Sequence, residues 1–419
     1  MAATDPRELA DRLRTLPGAG EALAAIDAGG EEVYLVGGAV RDLALGEAPA
    51  DLDLVVVGDV RPLAERLASD APERRVRAYG RFGTATVHAA GGLRYDLAAA
   101  RAETYPRPGA LPRVRPAGIG DDLARRDFTV AALALGLSGP DTGRLLSVPH
   151  ALEDLESRRL RVLHERSFID DPTRLLRLAR YAGRLGFAIE PDSERLARQA
   201  VADGALTSVS GARLGAELRL LAAEADPAGG FAVLRALGID AAIAAGFGIA
   251  DPDVLRRARA ALPEAGPSAD LAHVALGAAL LRVPEAERRP LLERLGIDSH
   301  TRREALHAAA DAPELARRAP SDGPPSRLLE ALPVDRPASV ALAAGLASPQ
   351  AAATLSRWLT EHARVRLEID GGDIVDAGVP PGPAVSAGLR AALGARLDGL
   401  APTREAQLEV ALRAAREAG

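Results

Sequence analysis

The stretch VGGAVRDLALGEAPADLDLVVV, residues 36–57, decides the fold of the first part of the chain. It opens on the end of VYLVGG (33–38), a short apolar run that closes in two glycines and is typical of a strand. A helical segment follows near 39–45, and the apolar run LDLVVVG (52–58) predicts a second strand. The succession of strand, glycine turn, helix and strand predicts a mixed α/β region.

Predicted strands and helices also lie on both sides of this stretch. Residues 1–30 predict a helix that stops at Gly29-Gly30, and RFGTATVHAA (81–90) and LRYDLAA (93–99) predict two more strands around a helix near 60–69. Residues 101–120 hold four prolines without periodicity, which predicts a loop. Helical spacing dominates from about 121 to the end. The expected fold class is therefore α+β, with a mixed β-sheet in an N-terminal head followed by an all-α remainder.

Composition excludes several classes of protein. The chain has 419 residues, a net charge of −6, 47% hydrophobic residues and no cysteine. Disulfide scaffolds, thiolate zinc sites and cysteine nucleophiles are excluded, and no apolar run is long enough to cross a membrane. With no signal-peptide pattern at the start, we expect a cytoplasmic protein without a membrane partner. The acidic total argues mildly against nucleic acid, although residues 158–184 carry eight arginines against three acidic residues.

The junction at Gly37-Gly38 is a candidate phosphate-binding turn. Glycines there let backbone N–H groups approach phosphate oxygens, and the start of the following helix favours negative charge. Arg41 lies in the first turn of that helix. The segment contains neither a Walker sequence nor the dinucleotide-binding glycine pattern.

Paired carboxylates sharpen this interpretation. Asp51 and Asp53 alternate on one strand, so their side chains share a face, and Asp96 lies in the strand RYDLAAA. Like charges held together repel each other unless a cation neutralises them, and oxygen ligands favour Mg²⁺. Three carboxylates beside a glycine turn describe a two-metal nucleotidyl-transfer site.

Several motifs in the expected order resemble the class II tRNA nucleotidyltransferase and bacterial poly(A) polymerase family. They are GGAVRD with DLD, the segment DDLARRDFTVAALAL (121–135), the segment LHERSFIDDPTRLLRLARYAGRLGF (163–187), SGARLGAEL (210–218) and the tail segment GGDIVDAGVPPGP (371–383). The resemblance implies that Asp51, Asp53 and Asp96 are the catalytic metal ligands and that Gly38 and Arg41 contact the triphosphate.

Further roles follow from the same resemblance. Arg125, Arg126 and Asp127 match a motif that contacts ribose and phosphates, with Asp127 suited to accept from a 2′-hydroxyl. Arg177 and Arg180 match nucleotide-contacting arginines. Asp171 and Arg174 are three residues apart and are expected to be neighbours on a helix. A carboxylate that accepts from an amino group and a guanidinium that donates to a ring nitrogen admit cytosine and adenine and disfavour uracil and guanine. The resemblance assigns this role to Asp171 and Arg174.

The implied organisation has four parts: a catalytic head (1–148), a base-reading neck (149–222), a helical body (223–330) and a tRNA-binding tail (331–419). The implied activity is the untemplated addition of C and/or A from CTP and ATP to the 3′ end of tRNA, with Mg²⁺. Addition of A alone, addition of CC alone and poly(A) synthesis stay open as alternatives. A non-catalytic RNA-binding relative and a nucleotidyltransferase of small molecules are the rivals from other classes.

The chain departs from the family pattern at two places. Ala131 stands where the family usually has Asn, and Ser147, His150 and Ala151 replace an Asp and two glycines of a hinge segment. Losing glycines restricts positive φ angles, so the departure bears on switching between CTP and ATP more than on the chemistry.

Overall fold

The computed structural model describes residues 4–69, 76–79, 83–88, 93–263, 268–319, 323–331 and 336–418. The chain divides into two compact units, Met1–Val209 and Ser210–Gly419. The division falls inside the segment 149–222 that was predicted as a neck, and the four-part organisation stays a prediction. None of the described helices is both long and apolar enough to span a membrane.

The strands lie in the first unit. They are β1 (Glu32–Val36), β2 (Asp51–Val57), β3 (Val76–Tyr79), β4 (Thr84–His88), β5 (Arg94–Ala99), β6 (Arg101–Thr104), β7 (Arg113–Pro116), β8 (Leu133–Ser138), β9 (Leu145–Ser147), β10 (Arg159–Leu160) and β11 (Ala188–Ile189). Within the described residues, seven of them form one sheet in the order β3-β4-β5-β2-β1-β8-β9. The β2–β5 pair is parallel and the other pairs are antiparallel, so the sheet is mixed.

The strands predicted from apolar runs are confirmed as β1, β2, β4 and β5. The predicted run 81–90 is described only over 83–88, and its ends lie outside the described residues. The strand β2 is central, and Leu52, Leu54, Val55 and Val56 are buried along it. A strand that is buried on both faces has a continuous apolar sequence, and for this reason LDLVVVG could be predicted as a strand.

The described helices of the first unit lie before, between and after these strands in the sequence. They are α1 (Pro6–Arg14), α2 (Ala19–Asp27), α3 (Gly38–Leu45), α4 (Arg61–Ser69), α5 (Ile119–Ala124), α6 (Ala151–Glu156), α7 (Ser167–Asp170), α8 (Thr173–Leu185) and α9 (Pro191–Ala202). The helices predicted near 39–45 and 60–69 are confirmed. The single helix predicted over 1–30 is wrong, because the chain turns between α1 and α2 at Gly18, whose φ is 86°.

Two further predictions are corrected by strands. Residues 101–120 were predicted as a loop, but β6 and β7 pair antiparallel into a hairpin. The strand signal was also predicted to stop near 121, whereas β8 and β9 complete the sheet and β10 pairs with β11. The run LALGLS of β8 is rich in helix-favouring Leu and Ala, and its pairing with β1 in a buried sheet overrides that propensity. Gly136 permits the tight turn, since a Cβ there would lie 2.0 Å from the Asp141 carbonyl oxygen.

The described part of the second unit is helical. Its helices are α10 (Gly211–Ala222), α11 (Pro227–Ala236), α12 (Ile239–Ile243), α13 (Pro252–Ala261), α14 (Ser268–Leu280), α15 (Glu285–Arg294), α16 (Ser299–Arg318), α17 (Pro325–Ala331), α18 (Pro337–Leu346), α19 (Pro349–Arg357), α20 (Gly371–Asp376), α21 (Pro383–Leu397) and α22 (Arg404–Ala418). The helix α18 is buried along almost its whole length. At Gly388 the helices α21 and α22 approach closely, because a Cβ there would lie 2.6 Å from the Ala411 carbonyl oxygen. The predicted α+β class, with a mixed sheet in the head and helices after it, is confirmed apart from the short β10–β11 pair.

Candidate active site

A cavity of about 730 Å³ lies in the first unit, where the ends of β2 and β5 meet the start of α3, the Arg125–Asp127 turn and the helix α8. Its volume is within the range of small-molecule sites. The predicted site residues that line it are Gly38, Arg41, Asp53, Asp96, Arg125, Arg126, Asp127, Asp171, Arg174 and Arg177. Segments from five places in the sequence therefore converge on one space.

Register places the carboxylates together. In the parallel pair of β2 and β5, Asp53 is the partner of Asp96 and Asp51 is the partner of Arg94. Side chains two residues apart on a strand share a face. The side chains of Asp51, Asp53, Asp96 and Arg94 therefore lie together on one face of the β2–β5 pair, and we call this group the carboxylate square. Nη2 of Arg94 donates to Oδ2 of Asp51 at 2.6 Å, and its Nε lies 3.0 Å from Oδ2 of Asp96. Thr86 of β4 donates from Oγ1 to Oδ1 of Asp96 at 2.7 Å.

The electrostatics of this square favour a cation. Burial raises the pKa of Asp53 to about 6; Arg126 opposes the rise, and the charges of Asp96 and Asp51 add to it. Among the described residues, no three acidic or imidazole side chains are already arranged around one point as metal ligands. Arg94 contacts both Asp51 and Asp96. The donors are all carboxylate oxygens, and the raised pKa of Asp53 reflects mainly its burial, to which the charges of Asp96 and Asp51 add. This donor set fits a hard divalent cation.

The glycine turn is shaped by close packing. Gly37 has a φ of 65°, and a Cβ at this position would lie 2.6 Å from Nη1 of Arg126. Arg41 is 2% exposed, yet it lines the cavity, and its Nε and Nη2 donate to Oδ1 of Asp42 at 2.8 and 2.6 Å. The start of α3 thus lies close to two guanidinium groups, those of Arg41 and Arg126. Gly37 itself does not line the cavity.

The fully buried carboxylate of Asp122, which the sequence analysis did not single out, binds the two arginines of the Arg125–Asp127 turn. Oδ1 of Asp122 accepts from Nε and Nη2 of Arg125 at 2.9 and 2.6 Å, and Oδ2 accepts from Nη2 of Arg126 at 3.0 Å. Arg126 also donates from Nη1 to the backbone carbonyl oxygen of Ala131 at 3.3 Å, a contact that does not involve the side chain at position 131. Asp122 occurs in the motif DDLARRD, three and four residues before the arginines it binds, which is a helical spacing that could have revealed it.

A second acid comes from the hairpin that was predicted as a loop. Oε1 of Glu103 on β6 accepts from Nη1 of Arg125 at 3.2 Å and from Nε of Arg101 at 3.0 Å, while Oε2 accepts from the Tyr105 hydroxyl at 3.2 Å. Glu103 and Tyr105 both line the cavity. Burial raises the pKa of Tyr105 to about 12, with Arg174 opposing the rise and Glu103 adding to it.

The carboxylate of Asp127 connects the turn to α8. Oδ2 of Asp127 accepts from Nε of Arg177 at 2.7 Å, and Oδ1 accepts from the backbone N–H of Phe128 at 2.9 Å. Burial alone would raise the pKa of Asp127, but Arg177 and Arg174 outweigh it and the pKa is lowered. Arg177 also donates from Nη2 to the Tyr181 hydroxyl at 3.0 Å.

The pair Asp171 and Arg174 lies at the start of α8 rather than within one helix. Asp171 has extended backbone angles between α7 and α8, and its Oδ1 accepts from the N–H and Oγ1 of Thr173 at 3.1 and 2.6 Å. The expectation that the two residues are neighbours along a helix is therefore corrected, although both line the cavity. Arg174 is 4% exposed and donates to Oγ of Ser167 at 2.6 Å and to the carbonyl oxygen of Arg125 at 2.8 Å.

Other side chains depart from their expected positions. Asp51 and Arg180 do not line the cavity; Arg180 is buried with its guanidinium 4.6 Å from the ring centre of Tyr181. Residues that line the cavity without having been predicted include Thr86, Glu103, Tyr105, Tyr181 and Arg184. Tyr181 and Arg184 continue the α8 face of Arg174 and Arg177 at helical spacing, so periodicity could have found them. Thr86, Glu103 and Tyr105 carry no such signal.

The altered hinge segment precedes and includes the start of α6. His150 has a φ of 66°, although the residue is not a glycine. The fully buried Asp154 accepts from Oγ1 of Thr129 at 2.8 Å and from Nε of Arg161 at 2.8 Å. The segment therefore keeps a positive φ where the family has glycine and keeps a buried link from α6 to the turn that follows Asp127.

The first unit resembles a nucleotidyltransferase head, and comparison with known proteins agrees. The poly(A) polymerase head domain family matches residues 33–161. An A-adding tRNA nucleotidyltransferase from Halalkalibacterium halodurans is 42% identical over 209 residues, which is 49% of each chain. A CC-adding tRNA nucleotidyltransferase from Deinococcus radiodurans is 44% identical over 211 residues, covering 49% of this chain and 54% of the relative. The chain spans about half the length of these curated relatives.

The likeness of structure extends further along the chain. The Thermotoga maritima CCA-adding enzyme in complex with tRNA is 26% identical, with a TM-score of 0.70, over 97% of this chain and 98% of that one. Residues 33–161 thus match the poly(A) polymerase head domain family, and the chain is similar to tRNA nucleotidyltransferases in sequence over about half its length and to CCA-adding enzymes in fold. Nucleotidyltransferases of this family generally use divalent metal ions.

Proposed function

We propose that this protein adds C and/or A from CTP and ATP to the 3′ end of tRNA without a nucleic-acid template. The observation that carries the proposal is the shared cavity: Asp53 and Asp96 face the same space as the arginine cluster and the pair Asp171 and Arg174. A site that transfers nucleotides needs a place for metal, phosphates and base within one nucleotide length. Side chains of this cavity would supply all three places, and protein hydrogen bonds orient Asp96, Arg125 and Arg174 among them.

The carboxylates of Asp51, Asp53 and Asp96 would hold Mg²⁺. Bound divalent ions of this kind lower the pKa of an attacking hydroxyl and stabilise the charge of a triphosphate and its leaving pyrophosphate. Arg41, Arg125 and Arg126 would bind phosphate oxygens of the nucleotide. They are oriented beforehand by Asp42 and Asp122, so little side-chain freedom is lost on binding.

Base and sugar selection would come from the α8 side of the cavity. Asp171 would accept from the amino group of cytosine or adenine, while Arg174 donates to the adjacent ring nitrogen. Arg174 is fixed by Ser167 and by the carbonyl oxygen of Arg125, which gives its remaining donors a defined direction. Asp127 would accept from the 2′-hydroxyl, and Arg177 and Arg180 would orient the carboxylate and the helix face around it. Uracil and guanine present a carbonyl where Asp171 needs a donor.

The four-part organisation is part of the proposal. We propose that residues 1–148 catalyse the transfer, that 149–222 read the base, and that the helical body (223–330) and tail (331–419) hold tRNA through its phosphates. Because the proposed substrates are tRNA, CTP and ATP, we place the enzyme in the cytoplasm.

The nucleotide-adding activity has four candidate forms. Relatives named for A addition and for CC addition are equally similar to this chain, at 42% and 44% identity. Complete CCA addition is supported by the likeness to a CCA-adding enzyme along nearly the whole chain. Addition of A alone, addition of CC alone and poly(A) synthesis are the alternatives, and a non-catalytic RNA-binding protein is a remoter one.

The test uses two tRNA substrates, one ending at the discriminator base and one ending in CC, each with Mg²⁺ and with CTP, ATP or both. Three nucleotides added to the first substrate would establish complete CCA addition. A single A added only to the substrate ending in CC would establish an A-adding enzyme. Addition to the first substrate that stops at CC would establish a CC-adding enzyme. Asp53→Asn serves as the inactive control. Extension of neither substrate would contradict the proposal.

A further inference from the structure

Arg94 stands in the carboxylate square at the position of a counter-ion. It is the β5 partner of Asp51 and lies two residues before Asp96 on the same face. Its Nη2 is 2.6 Å from Oδ2 of Asp51, and its Nε is 3.0 Å from Oδ2 of Asp96. One guanidinium thus bridges two of the three carboxylates that the proposed function assigns to metal binding.

The two contacts differ in kind. The contact to Asp51 is a hydrogen bond, whereas the buried Nε–H of Arg94 has no hydrogen-bond partner within the described residues. The contact to Asp96 is therefore one of charge without a directed bond. Oδ1 of Asp96 is meanwhile fixed by Thr86, so the carboxylate keeps its place without Arg94.

The guanidinium is also able to leave. The side chain of Arg94 is 42% exposed, while those of Asp51 and Asp96 are about one-third exposed. Exposed ion pairs hold their partners weakly, and an arginine has a long stem that can turn into solvent. A divalent ion gains far more than a guanidinium from the same carboxylates, because its charge is doubled and it can approach the oxygens more closely.

We propose that Arg94 is a built-in counter-cation of the carboxylate square, which neutralises Asp51 and Asp96 in the metal-free protein and is displaced when a divalent ion binds. The device rests on the proposed metal site. It keeps three like charges from repelling each other in the metal-free state, and it lowers the affinity for metal by the free energy of displacing the guanidinium. Arg94 acts on the site through its ligands and is a positioning residue.

The test measures binding of Mn²⁺ alone to the full-length protein, by the EPR signal of the free ion, without nucleotide or tRNA. Two partly exposed ion pairs correspond to about a three- to tenfold effect, so Arg94→Met binds Mn²⁺ tighter by that factor. Arg94→Lys, which keeps the charge, stays close to the wild type. Arg61→Met is the matched control, because it removes an exposed arginine paired with Asp59 in the same unit, and it leaves the affinity unchanged.

Thermal unfolding supplies a second readout. In EDTA, Arg94→Met unfolds at a lower temperature than the wild type, and Mn²⁺ raises its Tm by more than it raises that of the wild type. Arg94→Gln replaces Arg94→Met if the latter does not fold. Equal or weaker Mn²⁺ binding by the variant, with normal binding by the wild type, would overturn the displacement and leave the metal site standing. No Mn²⁺ binding by the wild type would overturn the metal site, and with it any competition there.

Discussion

The guanidinium of Arg177 lies against a single carboxylate oxygen of Asp127, with both Nε and Nη2 2.7 Å from Oδ2. The two residues are fifty positions apart, and their contact joins the helix α8 to the turn that carries Arg125 and Arg126. Asp127 is 7% exposed, so its charge depends on this partner. The proposed base-reading and phosphate-binding sides of the cavity are therefore connected through one ion pair.

Removing the side chain of Arg177 deprives the buried Asp127 carboxylate of its hydrogen-bonded cation. Arg177→Met should lower the free energy of unfolding by about 2 to 4 kcal/mol, because it leaves a buried carboxylate without its hydrogen-bonded cation. Urea unfolding at pH 7.5 measures the loss. Arg184→Met, on an exposed position of the same helix, is the control and should change stability by less than about 0.5 kcal/mol. Equal effects of the two variants would contradict the role given to the pair.

Acid unfolding tests the same pair from the other side. The lowered pKa of Asp127 contributes stability above its unfolded value of 3.8, and that contribution is lost as the pH falls through the folded pKa. The wild type should therefore lose stability relative to Asp127→Asn as the pH falls below about 4. The difference in Tm between the two proteins, followed from pH 7 to 3, measures it.

Asp122 offers a sharp comparison with its neighbour. Asp122→Asn should destabilise the protein by about 3 kcal/mol and raise the KM for CTP and ATP, because both Arg125 and Arg126 lose a fully buried charged partner. Asp121→Asn makes the same chemical change one residue away, at a half-exposed side chain paired with Arg115 at 3.4 Å. It should be close to neutral in both Tm and KM. A neutral Asp122→Asn would show that the arginines are held by other groups.

The raised pKa of Asp53 predicts a pH-dependent gain on substitution. The folded protein binds this proton more tightly than the unfolded chain, so Asp53 costs stability as the pH rises from about 4 to about 6. In EDTA, Asp53→Asn should therefore be more stable than the wild type by about 1 to 2 kcal/mol at pH 8, since solvent screens the partly exposed carboxylate. The gain should vanish at pH 4. Thermal unfolding at the two pH values checks it, and the same variant should lose nucleotidyl transfer by more than about a thousandfold.

The hinge residue His150 is strained. Its φ of 66° costs a non-glycine residue about 1 kcal/mol, and glycine relieves that strain. His150→Gly should therefore raise the free energy of unfolding by about 0.5 to 1 kcal/mol. Its Nδ1 lies 3.3 Å from Oε2 of Glu153 on the surface, so Glu153→Gln controls for the loss of that contact. If His150→Gly is destabilising while Glu153→Gln is neutral, the positive φ is not a source of strain.

Nucleotide choice is tested at Asp171. Asp171→Asn should lower the preference for CTP over UTP by about tenfold or more, because an amide can donate to the carbonyl of uracil where a carboxylate repels it. The amide oxygen can still accept from Thr173, so the start of α8 is retained. Asp170→Asn is the matched control at a neighbouring acid paired with Arg166. Product sizing with single nucleotides measures the preference, and unchanged selectivity would remove Asp171 from base reading.

Much of the head was predictable from local patterns. The strands β1, β2, β4 and β5 are apolar runs bounded by turn residues, and Asp51 and Asp53 share a face because of strand geometry alone. The run of β8 was not predictable as a strand, because Leu and Ala suit a buried helix equally well. The hairpin of β6 and β7 was hidden by its prolines and arginines, which carry no alternating pattern.

The arrangement of the candidate site was likewise only partly predictable from the sequence. The sequence by itself determined the resemblance in motifs, the mixed sheet of the head and the residue types of the proposed phosphate- and metal-binding site, because these depend on short-range periodicity and on motifs. Only the tertiary structure decided that Asp53 faces Asp96, that Glu103 and Asp122 hold Arg125, and that Arg94 bridges two carboxylates. Those relations join residues brought together by the pairing of β2 with β5 and by packing. Charge compensation in a buried site acts through distance in space, which neighbours in sequence do not specify.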